Sequence, residues 1–95
     1  MRRVVPTHRA PALYRALQQV REAVATGVTD VAEIKRRGAE QIGTDERLKL
    51  EYLEIVDPDS LEPLERVSGP VVAAGALWVG TTRLIDNLPC APGKP

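Results

Sequence analysis

The chain predicts an α+β domain of two helices packed on a small three-stranded antiparallel sheet, in the order α-α-β-β-β. Three observations carry this. Apolar residues recur at helical spacing as far as Ile42, then at strand spacing from Leu48 onward. Two β-rich arms, Val71 to Val79 and Thr82 to Leu88, flank a short Gly80-Thr81 reversal, where glycine supplies the positive φ of a tight hairpin loop. The helical and strand segments are also segregated along the chain, which separates an α+β layer arrangement from alternating βαβ units.

The first helix is set by Leu13, Leu17, Val20 and Val24, with Ala16 and Ala23 on the same stripe. Pro11 suits its first turn, where a missing N–H costs nothing. Thr26-Gly27 ends it, glycine being favoured just past a helix C-terminus. The second helix starts at Asp30, whose carboxylate is expected to accept from the N–H of Glu33 while Glu33 reaches back, as in a capping box. Val31, Ile34, Gly38 and Ile42 share one face. Gly38 costs about 1 kcal/mol relative to alanine inside a helix, so close packing against the first helix or the sheet is its expected use. Gly43-Thr44 closes the element.

Leu48 to Val56 reads as the first strand. Leu48, Leu50, Tyr52 and Val56 have one parity and Leu53 and Ile55 the other, so both faces are expected to be partly covered. Asp57-Pro58-Asp59-Ser60 is a turn, because aspartate side chains fold onto nearby N–H groups and proline presets φ. Leu61-Glu62-Pro63-Leu64 continues as irregular chain, and Ser68-Gly69-Pro70 punctuates before the hairpin.

Ninety-five residues make one domain, 1–95, with 1–10 as a junction remnant and 89–95 as a frayed tail. There is no phenylalanine, so the core falls to aliphatic residues, and Trp78 is expected to join it. Thirteen basic and thirteen acidic residues cancel, which argues against a dedicated nucleic-acid or membrane-surface binder. The balance is uneven: eight basic residues up to Arg37 face three acidic ones, a net +5, offset by −5 in the remainder. Basic helices masking a more acidic sheet is one reading; a basic face over an anionic ligand is another. The lone Cys90 fits a reducing compartment, no apolar run reaches a membrane span, and a cytoplasmic location is expected.

No catalytic, cofactor-binding or metal-ligating constellation is evident. His8 is the single histidine, and a Cys90–His8 nucleophilic pair would join opposite ends of the chain. Glu51 and Glu54 have opposite parity, so they are expected to point to opposite faces rather than share a metal. Arg83, Asp86 and Asn87 are the candidate structural or interdomain residues. On a strand Arg83 and Asn87 share one face, while Asp86 shares the other with Leu84 and is expected to hold a loop or helix N-terminus rather than pair with Arg83.

Three stretches, in order, resemble the pantothenate synthetase family: Pro11-Ala12-Leu13-Tyr14-Arg15-Ala16-Leu17; Glu51-Tyr52-Leu53-Glu54-Ile55-Val56-Asp57-Pro58 through Leu61-Glu62-Pro63-Leu64; and Gly80 to Leu88. The resemblance covers the C-terminal domain only. It implies a small lid that closes over an N-terminal Rossmann-like domain, in which ATP and magnesium activate pantoate as an acyl adenylate for attack by β-alanine. The family's His-x-Gly-His motif is absent from this sequence, and its junction Ser-Arg-Asn has no match in Met1-Arg2-Arg3-Val4-Val5. The resemblance therefore implies a piece that is inactive by itself, whose partner is the missing N-terminal domain. A non-enzymatic interaction module, including a homo-oligomer, is the alternative; binding to nucleic acid or membrane is not expected.

Overall fold

The structure is a computed structural model that describes residues 11–43 and 45–93. The expectations placed on 1–10, including His8 and the junction remnant, and those on Thr44 and on 94–95, lie outside the described residues.

Helix α1 spans Pro11–Ala25 and α2 spans Val31–Glu40, followed by strands β1 (Leu48–Val56), β2 (Val71–Val79) and β3 (Thr82–Cys90). The sheet is antiparallel, as the sequence predicts, and its strands lie in the order β1-β2-β3. Both helices lie on one face of it. Leu17, Val20 and Val24 of α1, Ile34 of α2, Ile55 of β1 and Leu77 of β2 are fully buried between the layers. Each of these side chains, buried, contributes about 1.5–3 kcal/mol of apolar transfer free energy, enough together to hold the two layers.

Gly38 is where the helices and sheet come closest. A Cβ there would stand 2.8 Å from Leu53 Cδ2, 2.9 Å from Val20 Cγ2 and 3.1 Å from the Ala16 carbonyl oxygen. The glycine therefore serves close packing against α1 and the sheet at once. The second helix is capped differently from expectation. Asp30 Oδ1 accepts from Ala32 N–H at 3.2 Å. Glu33 does not reach back, because Arg36 and Arg37, three and four residues on, take its carboxylate in charge-assisted hydrogen bonds.

A bulge in β1 explains its mixed pattern. Leu50 pairs with Leu77 but Tyr52 pairs with Ala76, leaving Glu51 as an extra residue. Leu48 and Leu50 face the helices before it; Leu53 and Ile55 do so after it. The change of parity is a register shift, and it leaves Tyr52 half-buried and Val56 buried on the outer face, so both faces are partly covered as expected.

The segment after β1 straps the domain together. Asp57 Oδ1 accepts from Asp59 and Ser60 N–H, forming the expected turn. Leu64 N–H then donates to the Ile55 carbonyl on the edge of β1, while Val31 N–H donates to Glu65 and Val67 N–H to Thr29, tying the strap to the start of α2. At the hairpin, Val79 pairs with Thr82 and Gly80 alone takes a positive φ, 61°. β3 continues past Leu88 to Cys90, which is buried, and Gly93 then passes so close to the end of α1 that a Cβ would meet the Ala25 carbonyl.

Candidate functional site

The sheet face away from the helices carries the one polar network that joins distant strands among the described residues. Trp78 and Arg83 are direct cross-strand partners beside the hairpin. The bulge turns Glu51 toward both. Arg83 donates to it twice, Nε to Oε1 at 2.6 Å and Nη2 to Oε2 at 3.0 Å, and Trp78 Nε1 donates to Oε1 at 3.0 Å. The Arg83 guanidinium is the main reason the Glu51 carboxyl is held below the usual carboxylate range, with the indole N–H a smaller contributor. Trp78 is thus half-buried on the outer face and does not enter the core. Its indole N–H needs a partner, and the carboxylate of Glu51 provides one that the aliphatic core could not.

Of the sequence candidates, Arg83 joins this network and the other two do not. Asn87 lies on the same outer face, opposite Ala74. Asp86 lies opposite Gly75 on the other parity, and its Oδ1 accepts from the Asn87 backbone N–H at 2.8 Å. Glu51 and Trp78 were the members sequence reasoning missed. Their pairing depends on a bulge between them and a 27-residue separation, which no local pattern reports.

The bulge also corrects the reading of Glu51 and Glu54. Register places Glu54 opposite Ala74, on the outer face with Glu51. They still share no site, because Glu54 pairs with Lys35 around the sheet edge at 3.2 Å. The charge asymmetry resolves in the same way. Lys35 reaches the sheet, whereas Arg36 and Arg37 are neutralised within α2 by Glu33 and Glu40. Beside them, a shallow groove of about 430 Å³ between the start of α2 and the strap is lined by Asp30, Lys35, Glu65 and Arg66, two charges of each sign.

Among the described residues no three carboxylate, histidine or cysteine side chains converge, and the guanidinium of Arg83 is spent on Glu51. No helix of the described residues is long and apolar enough to cross a membrane.

What the fold defines is a two-layer α+β domain in which both helices of the described residues lie on one side of the sheet. The profile described as Pantoate-beta-alanine ligase matches residues 5–89, and the chain belongs to that family. The pantothenate synthetase of Koribacter versatilis is 44% identical over 85 residues, covering 87% of this chain and 29% of the relative. That of Caldicellulosiruptor saccharolyticus is 39% identical over 79 residues, covering 83% and 28%. The crystal structure of the enzyme from Thermus thermophilus matches with a TM-score of 0.77 at 37% identity, covering 90% of this chain and 31% of that one. The chain spans less than a third of the length of these relatives.

Proposed function

We propose that this chain is the C-terminal lid domain of a pantothenate synthetase, serving the ATP-dependent condensation of pantoate with β-alanine without supplying the groups that perform it. The family match across 5–89, set against relatives of which the chain covers only 28% and 29%, supports the reading. In this role the domain closes over a nucleotide-binding N-terminal partner, excludes water from the acyl adenylate and steadies the bound substrates. The core between helices and sheet gives it the rigidity to move as one body.

The test has two arms. The purified chain, given pantoate, β-alanine, ATP and magnesium, forms no pantothenate. A chimera in which residues 11–93 replace the matching third of the Thermus thermophilus enzyme does form it. Turnover by the chain alone, or a folded chimera without turnover, would contradict the reading.

One observation favours a second reading, self-association of the isolated chain: Ile85 is 59% exposed on a sheet face with few unpaired charges. Light scattering across a concentration series decides it, a strictly monomeric result removing it.

A further inference from the structure

An open sheet ends in two edge strands, each with a row of N–H and C=O groups that another strand can take up. The edge of β1 is closed in this fold. The strap runs along its second half, where Leu64 N–H donates to the Ile55 carbonyl, Asp57 N–H donates to the Glu62 carbonyl and Pro63 bridges Val56. The bulge at Glu51 and the exposed Lys49 interrupt its first half. The edge of β3 is different. Among the described residues β3 pairs with β2 alone, and no bridge lies on its far side.

The hairpin fixes which backbone groups of β3 point outward. Val79 and Thr82 flank a two-residue loop and form a hydrogen-bonded pair, and such pairs recur at every second position. Thr82, Leu84, Asp86, Leu88 and Cys90 therefore turn their N–H groups to β2, whereas Arg83, Ile85, Asn87 and Pro89 stand at edge-facing positions. Two of those four present no donor. Proline has no N–H, and at position 89 its absence costs no bond to β2. The Asn87 N–H is taken by Asp86 Oδ1 at 2.8 Å. The edge-facing donors of Arg83 and Ile85 lie in the hairpin half.

The placement of Asp86 agrees. It stands on the helix side of the sheet, opposite Gly75 and between buried Leu84 and half-buried Leu88, where the alternation of the strand calls for an apolar residue. Its carboxylate stays exposed and turns onto the edge of its own strand. A charge at an inward position of an edge strand is one of the devices by which native sheets resist further pairing, since an added strand would have to desolvate it.

We infer that Asp86, together with Pro89, guards the second half of the β3 edge against strand addition by withdrawing its backbone donors, and that the strand kept out is β3 of a second copy of this chain. Two copies related by a twofold axis present the same edge to each other, which sets β3 antiparallel to β3. The inference rests on the sheet and not on the lid reading. It concerns the edge alone: the Ile85 N–H lies in the plane of the sheet, so association through the outer face, where the Ile85 side chain is exposed, leaves that N–H in water.

Amide hydrogen exchange, followed by NMR across a concentration series of the whole 95-residue chain, tests it. In the wild type the Ile85 N–H exchanges fast at every concentration. In Asp86→Val the freed Asn87 N–H extends the row of donors, and Ile85 slows by about tenfold or more as concentration rises. Asp86→Asn keeps an acceptor oxygen and behaves as the wild type. Adding Asn87→Pro to Asp86→Val removes the same donor again without touching a bond to β2, and fast exchange returns. Should that double variant lose its dispersed spectrum, Pro89→Val is the second arm: it adds a donor to the edge and deepens the slowing seen in Asp86→Val. Unchanged exchange in Asp86→Val overturns the inference. So does slowing in Asp86→Asn equal to that in Asp86→Val, since charge and not the hydrogen bond would then be the guard. A folded Asp86→Val chain with Asn87→Pro that still slows, or a wild-type Ile85 that is slow at any concentration, overturns it as well.

Discussion

Arg83 grips Glu51 through two hydrogen bonds although 32 residues separate them, and neither strand lies next to the other in the sheet. The guanidinium crosses the intervening β2, passing beside Trp78. The bulge at Glu51 makes this reach possible by moving one carboxylate onto the outer face. A glutamate there links all three strands on the side that the helices do not cover.

Removing that link will show in the single tryptophan. In Glu51→Ala the indole N–H and Arg83 lose their shared acceptor, and the Trp78 emission maximum moves to longer wavelength. Glu22→Ala, in the helix layer on the other side of the sheet, leaves it in place. Because Arg83 holds the Glu51 carboxyl low, the wild-type signal persists into acid below the usual carboxylate range. An unchanged spectrum in Glu51→Ala would mean that the contact does not order the ring.

Acid will weaken the domain partly through α2. Glu33, between Arg36 and Arg37, is lowered from 4.5 to about 2. A carboxyl whose folded value is depressed contributes stability above its unfolded value, and that contribution is lost as pH falls through the folded one. The thermal midpoint should therefore be flat near neutrality and fall between about 4.5 and about 2. Glu33→Gln should lower it near neutrality and flatten this acid limb. Equal slopes for both proteins would remove Glu33 as a cause.

Gly38→Ala sets two effects against each other. Alanine improves helix propensity by about 1 kcal/mol. Its Cβ, however, would press on Leu53 and Val20 from 2.8 and 2.9 Å and on the Ala16 carbonyl from 3.1 Å. Overpacking of this kind costs about 1–3 kcal/mol, so net destabilisation is expected in urea unfolding. A rise in the midpoint would show that the layers part easily.

Leu61 has the opposite prospect. It holds φ 64° with a branched side chain that is 66% exposed. Left-handed backbone costs a non-glycine residue about 1–2 kcal/mol. Leu61→Gly should raise stability by about 1 kcal/mol in the isolated chain. A loss would reveal packing by Leu61 that its exposure hides.

Two isoleucines calibrate the layers. Ile34→Ala empties a fully buried position between α2 and the rest of the core and should cost about 2–5 kcal/mol. Ile85→Ala, on the outer face, should change the isolated chain little. Comparable losses would place Ile85 in a packed environment already.

The apolar stripe of α1, the Asp57 turn, the glycine reversal at Gly80 and the α-α-β-β-β order were all legible in the residues, because each depends on spacing or on one residue's backbone preference. The kinship with the pantothenate synthetases was legible as well, since three ordered stretches carry it. Tertiary structure alone decided the rest. The bulge at Glu51 reversed a parity argument, brought a carboxylate to the outward-facing Trp78, and placed Glu51 and Glu54 on one face. Ion pairs within α2 took Glu33 away from the cap assigned to it. Such outcomes depend on which groups the fold brings within hydrogen-bond reach, and a linear pattern records spacing along the chain but not distance across a sheet.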